Sequence, residues 1–207
     1  MEEGVFKQVK IFMIRVCMLG SIGSGKTFIS KLFKYPVFNA DKEVNSVYKN
    51  NRVCFKRLKK KLPKYIKSFP ILKSELILAI NENKKNLKVI TSIVHPIIRK
   101  KMKKFVNDNK NFRMVVLDVP LLIENKLNLK SDILIFINSK RNKIYSRLKK
   151  RRNFDHNLIK SLSTKQTMLS KKKKIADYII DNNFSPNIMK KKVKLLKKKK
   201  LNERSST

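Results

Sequence analysis

The chain has 207 residues, 42% of them hydrophobic, and its 52 Lys and Arg against 14 Asp and Glu give a formal net charge of +38. That length and apolar content suit one domain with a core and room for an inserted sub-domain, and exclude disorder throughout. No apolar run approaches the ~18–20 residues that cross a bilayer, and two cysteines make neither a disulfide framework nor a zinc pattern.

The start, "MEEGVFKQVK", is acidic and lacks a long apolar run, so no signal peptide is expected and the expected location is cytoplasmic, away from membranes. The positive charge is nearly all lysine, spread along the chain beside many asparagines and isoleucines, a pattern that AT-rich coding bias produces. Aromatic residues are scattered and tryptophan is absent, so no stacking platform for bases emerges and no specific nucleic-acid partner is expected.

Residues 11–19, "IFMIRVCML", form an apolar, largely β-branched run that predicts a strand buried on both faces. "KTFISKLFK" follows as a short amphipathic helix closed by Pro36, and "VFNAD" at 37–41 predicts a second strand ending in a carboxylate. From about 44 to 110 the pattern is helical and very basic, with an apolar stripe through Ile90, Val94, Ile98 and Met102 and with Pro96 as a helix start or kink. Strands are predicted again at 113–120, 132–138 and 177–181, with basic helices at about 140–150 and 155–172 and a helical, lysine-rich tail. Such alternation predicts an α/β fold with a five-stranded, mainly parallel sheet flanked by helices. The helical block between strands two and three is too long for a simple crossover, and is expected to be an inserted substrate-side sub-domain.

Between the first strand and helix, "GSIGSGKT" satisfies G-x-x-x-x-G-K-[ST] at Gly20, Gly25, Lys26 and Thr27. Glycines let consecutive backbone N–H groups converge on phosphate oxygens, and the helix behind adds its positive end. Gly20, Ser21, Gly23, Ser24, Gly25 and the Phe28 N–H make up the predicted cradle. Lys26 would place an ammonium near the β- and γ-phosphates, and the Thr27 hydroxyl would help hold Mg²⁺. This predicts a nucleotide-binding loop but not the acceptor.

Three further stretches bear on the acceptor. Asp41 follows the second strand, at the edge where open α/β sheets bind ligands, and could accept or orient the proton of an acceptor hydroxyl. Asp118, in "VVLDVPLLIEN", ends another strand and suits Mg²⁺ or its water shell; a strand-end turn residue is the alternative for each aspartate. Arg147 and Arg151 lie four apart on one helical face, either to close over phosphates or as part of a solvated basic face.

Taken together these stretches resemble the dephospho-CoA kinase family, from about Met13 to Asn183. "GSIGSGKT" is similar to its phosphate loop, "NADKEV" to its Asp-Ala-Asp motif, and "HPIIRKKM" to its His-Pro element. "DVPLLIEN" resembles its Asp-x-Pro-Leu-Leu-x-Glu strand end, and "RLKKR", Gln166, Lys172 and "ADYIIDNN" its lid and final strand. The family's first Asp of Asp-Ala-Asp is Asn39 here, and residues 45–80 lack its glycine-containing turns.

The resemblance implies transfer of phosphate from ATP, with Mg²⁺, to the ribose 3′-hydroxyl of dephospho-CoA. It implies a P-loop kinase fold with a nucleotide core (about 11–43, 112–140 and 174–185), a CoA-side helical insert (about 44–111), a lid (about 141–173) and a basic tail (187–207). Asp41 would be the catalytic carboxylate and Arg151 the lid arginine on the transferring phosphate. Asn182 would border the adenine, while His95, Asp118 and Lys172 would lie on the substrate side; a packed helix histidine is the alternative for His95. Rival readings are another small-molecule or nucleotide kinase of this fold, and an RNA-associated P-loop protein suggested by charge alone.

Overall fold

The computed structural model of the chain describes residues 13–120, 122–149 and 166–203. Five strands form one parallel sheet: β1 (Ile14–Leu19), β2 (Val37–Asn39), β3 (Met114–Asp118), β4 (Ile133–Asn138) and β5 (Tyr178–Asp181), in the order β2-β3-β1-β4-β5. β1 is the hub, pairing parallel with β3 from Ile14 opposite Met114 and with β4 from Val16 opposite Ile133. Its next connection runs to β2 on one side and that of β4 to β5 on the other, which opens a crevice at their carboxyl ends.

Both faces of β1, β3 and β4 are buried, which explains why their sequences read as continuous apolar runs rather than alternating ones. One face carries Ile14, Val16 and Met18 against Val116 and Ile135, covered by Ile29 and Phe33. On the other, Arg15 pairs with the buried Asp132 at 3.0 Å, and the Cys17 thiol donates to the same carboxylate at 3.3 Å. Burial and that neighbouring carboxylate push the Cys17 thiol far above its ordinary range.

The chain divides into two compact units. One runs up to Val37 and resumes at Asn109; the other is Phe38–Asp108. The first holds α1 (Lys26–Leu32) and then the helices that follow the later strands: α6 (Arg141–Lys149), α7 (Gln166–Lys174) and α8 (Pro186–Glu203). Met189 and Val193 of α8 enter the sheet's core, and Lys197 donates to the Phe33 carbonyl at 3.3 Å, so the lysine-rich helix is docked by its apolar side. Arg151 and the middle of the expected lid, 150–165, lie outside the described residues.

The second unit is built from α2 (Ala40–Asn50), α3 (Arg52–Lys61), α4 (Lys73–Glu82) and α5 (Lys85–Asp108) around Val47, Cys54, Leu58, Ile66, Ala79 and Val94. Asn39 and Asn51 cap α2 and α3, accepting from the Lys42 and Cys54 N–H groups at 2.9 and 2.8 Å. Burial raises the Cys54 thiol to about 11.

Three boundaries differ from the sequence expectation. The second strand ends at Asn39, because that side chain caps α2 and draws Ala40 and Asp41 into its first turn. The third ends at Asp118 rather than at 120. α5 runs through Pro96 instead of starting there: Ile90, Val94, Ile98 and Met102 stay buried on both sides of it, and that packing outweighs the missing N–H. Among the described residues, no helix is long and apolar enough to cross a membrane.

Candidate active site

β1 delivers the chain to Gly20, and α1 begins at Lys26 behind a left-handed Gly25 (φ 95°). Any Cβ at Gly20 would stand 2.7 Å from the Ile137 carbonyl oxygen, and one at Gly25 would run into the Asn182 amide. These two positions therefore demand glycine for space as well as for backbone conformation. No side chain caps the N-terminus of α1.

Lys26 Nζ folds back to donate to the Gly20 and Ser21 carbonyls at 3.0 and 2.8 Å. Thr27 Oγ1 donates to Asp118 Oδ2 at 2.6 Å, bringing the last residue of the glycine-rich motif onto the end of β3. Ser24 is fully buried and its hydroxyl has no partner among the described residues. Its backbone N–H closes a turn onto Ser21 at 3.3 Å. Gly23 lies against Ile144 and Leu148 of α6, while Phe28 is 40% exposed.

Beside the loop a cavity of about 700 Å³ is lined by Ser21, the end of β4 and side chains of α6 and α7, among them Arg141, Tyr145 and Lys173. Its volume is in the range of small-molecule sites. A second hollow of about 300 Å³ lies between Asn142, Ser146, Arg147 and Phe184. Here the Arg147 guanidinium sits 4.5 Å from the centre of the Phe184 ring. A planar cation on an aromatic face is a surface on which a flat base stacks.

Lys172 occupies a different setting from a free substrate contact. It is 8% exposed, pairs with Glu124 at 2.6 Å and donates to the Pro120 carbonyl at 3.3 Å. It thus ties α7 to the segment just beyond Asp118. Replacing Lys172 by methionine is expected to lower stability by about 1–3 kcal/mol, read by urea denaturation, because the Glu124 side chain, 24% exposed, loses its partner. Unchanged stability would show that the pair contributes nothing.

Asp41 and His95 belong to the helical unit. Asp41 is exposed in the first turn of α2, where the helix dipole favours a carboxylate. His95 is half-buried on α5, and burial, with the nearby Arg99 charge, lowers its pKa below the usual histidine value. The folded state thus favours neutral His95, and the unfolded chain binds the proton more tightly. Its contribution is full above the unfolded value of about 6.5 and falls as pH drops through that value. His95→Gln is expected to flatten the stability profile between about pH 7 and 5 in thermal melts.

Among the described residues no three His, Cys, Asp or Glu side chains cluster to hold a metal. Thr27 and Asp118 offer two hard oxygens, which fits Mg²⁺ held by one or two protein ligands together with phosphates. Ser139 and Phe184 line the two hollows and Glu124 pairs with Lys172, and none of the three was singled out by sequence reasoning. Only the family's strand-end motif, which contains Glu124, carried any signal for them.

Known proteins resemble this chain in sequence and in fold. The dephospho-CoA kinase family model matches residues 14–187. The dephospho-CoA kinase of Wolbachia pipientis wMel is 30% identical over 178 residues, covering 82% of this chain and 89% of that protein. Among solved structures, TT1252 from Thermus thermophilus aligns with a TM-score of 0.73 at 20% identity, over 89% of this chain and 96% of its own. Dephospho-CoA kinase from Campylobacter jejuni aligns at 0.62 and 19% identity, over 89% and 97%. The last two show a shared fold; the family match, running from β1 past the end of β5, decides identity, and the chain belongs to the dephospho-CoA kinase family.

Proposed function

We propose that this chain carries out its family's reaction: ATP-dependent phosphorylation of the ribose 3′-hydroxyl of dephospho-CoA, giving coenzyme A and ADP. The observation that carries the reading is the glycine-rich loop whose Thr27 is bonded to Asp118 at 2.6 Å, a donor-phosphate and cation-handling pair in one place. In this reading the glycine-rich loop would take the ATP phosphates, and Asp41 and His95 would serve the acceptor.

The acceptor oxygen attacks the γ-phosphorus in line as the bond to the β-phosphate oxygen breaks. Asp41 takes the hydroxyl proton. Lys26 supplies positive charge for the phosphoryl oxygens, and Arg151, by its place in the motif, does the same. Mg²⁺ held through Thr27 and Asp118 offsets phosphate charge when bound. The stack of Arg147 on Phe184 supports a base-side role for this arginine.

The test is a coupled ADP-release assay with dephospho-CoA, AMP and shikimate as alternative acceptors. Release is expected with dephospho-CoA alone. Turnover of AMP or shikimate without dephospho-CoA turnover would assign a different small-molecule kinase, and hydrolysis stimulated by RNA would support the nucleic-acid reading instead. Weak, salt-sensitive RNA binding alone would not, since a net charge of +38 produces it anyway.

A further inference from the structure

The Ser24 carbonyl, in the middle of the phosphate loop, accepts two side-chain hydrogen bonds from distant parts of the chain. Asn182 Nδ2 donates to it at 2.7 Å and Ser139 Oγ at 3.0 Å. Ser139 directly follows β4 and Asn182 directly follows β5, and the two strand ends are joined by the Asn182 N–H on the Asn138 carbonyl at 2.7 Å. The amide orientation of Asn182 is settled by its surroundings, since Oδ1 accepts from the Phe184 N–H at 2.8 Å. With only 4% of its surface exposed, this side chain has both ends committed.

A trans peptide is planar, so its C=O and N–H point in opposite directions. Holding the Ser24 oxygen against the ends of β4 and β5 turns the Gly25 N–H away from them, toward the hollow of the loop. Among the described residues that N–H makes no hydrogen bond. Asn182 also lies so close to Gly25 that no side chain fits between them.

We propose that Asn182 and Ser139 are positioning residues of the phosphate site: together they clamp the Ser24–Gly25 peptide so that the Gly25 N–H is aimed at a phosphate oxygen of the bound nucleotide. Neither side chain touches the nucleotide. The clamp preorganises the cradle, so less ordering remains when ATP binds. It also makes the loop's conformation depend on β4 and β5, whose residues are more than a hundred positions away in sequence. This inference rests on the loop being the ATP phosphate site.

The decisive experiment compares the whole protein with Ser139→Ala, Asn182→Ala and the double variant, at fixed Mg²⁺. Dissociation constants are measured for ATP, inorganic tripolyphosphate and adenosine by competition with a fluorescent nucleotide. ATP and tripolyphosphate are expected to weaken by about 2–10-fold in each single variant and further in the double variant, with adenosine unchanged. A parallel loss for adenosine would make Asn182 a base contact and overturn the proposal, as would unaltered affinity for all three probes. Should Asn182→Ala fail to fold, Ser139→Ala decides alone, since it removes one hydroxyl. Wild-type protein that binds adenosine but not tripolyphosphate would defeat the phosphate-loop reading itself, an outcome distinct from variants that behave like wild type.

Discussion

Lys26→Ala is expected to lower kcat for dephospho-CoA phosphorylation by about a thousandfold or more, the range seen when a group stabilising transition-state charge is removed. The ammonium rests on the Gly20 and Ser21 carbonyls at 3.0 and 2.8 Å, inside the loop rather than out in solvent. Phosphate oxygens are stronger partners than neutral carbonyls, so a bound triphosphate draws Nζ from those carbonyls with little movement of the backbone. Losing the side chain should leave the fold intact, because its bonds to the Gly20 and Ser21 carbonyls stay within the loop and both residues are partly exposed. Thermal melts of the variant should therefore overlay those of the wild type while ADP release disappears. Lys26→Arg is expected to rescue poorly, since a planar guanidinium is bulkier than a compact ammonium in a loop this close-fitting. Activity within tenfold of wild type for Lys26→Ala would remove Lys26 from the mechanism.

Asp41→Asn should separate chemistry from donor binding. The carboxylate stands in the first turn of α2 and is exposed, so replacing it with the isosteric amide forfeits little folding energy. What disappears is the capacity to accept the acceptor's proton, which general-base substitutions value at about 10²–10⁴ in kcat. The expected result is that fall in kcat with KM for ATP unchanged. A lower affinity for ATP with kcat intact would mean that Asp41 serves the donor side, and near-wild-type rates would leave the reaction without its assigned base.

The parts of this protein that were legible in the sequence are those fixed locally. Glycine scarcity made "GSIGSGKT" conspicuous, and three of the chain's four glycines sit there because backbone must approach phosphate closely. The apolar runs of β1, β3 and β4 were readable because these strands are buried on both faces, leaving no alternation to confuse them with surface strands. Asp41 was misplaced by a strand-to-helix boundary: "VFNAD" continues an apolar run, but an asparagine followed by two acids within four residues is also a helix start. Lys172 shows the opposite limit. Its interval in the family pattern marks it out from Lys171 and Lys173, but only the fold brings Glu124 and Pro120 to it. The grip of Ser139 and Asn182 on Ser24 is equally invisible in sequence, since its partners are separated by 115 and 158 positions.

The two buried thiols have a consequence for how this protein withstands chemical stress. Attack on peroxide, on a disulfide or on an alkylating agent needs a thiolate with access to the reagent. Cys54 titrates only near pH 11, and Cys17 is held protonated as the donor to Asp132 within the sheet. Both cysteines of the chain are closed off by the same packing that forms its two cores. Both thiols are therefore poor partners for thiol–disulfide exchange while the protein is folded. That insulation suits a protein of its family, since coenzyme A ends in a sulfhydryl of its own.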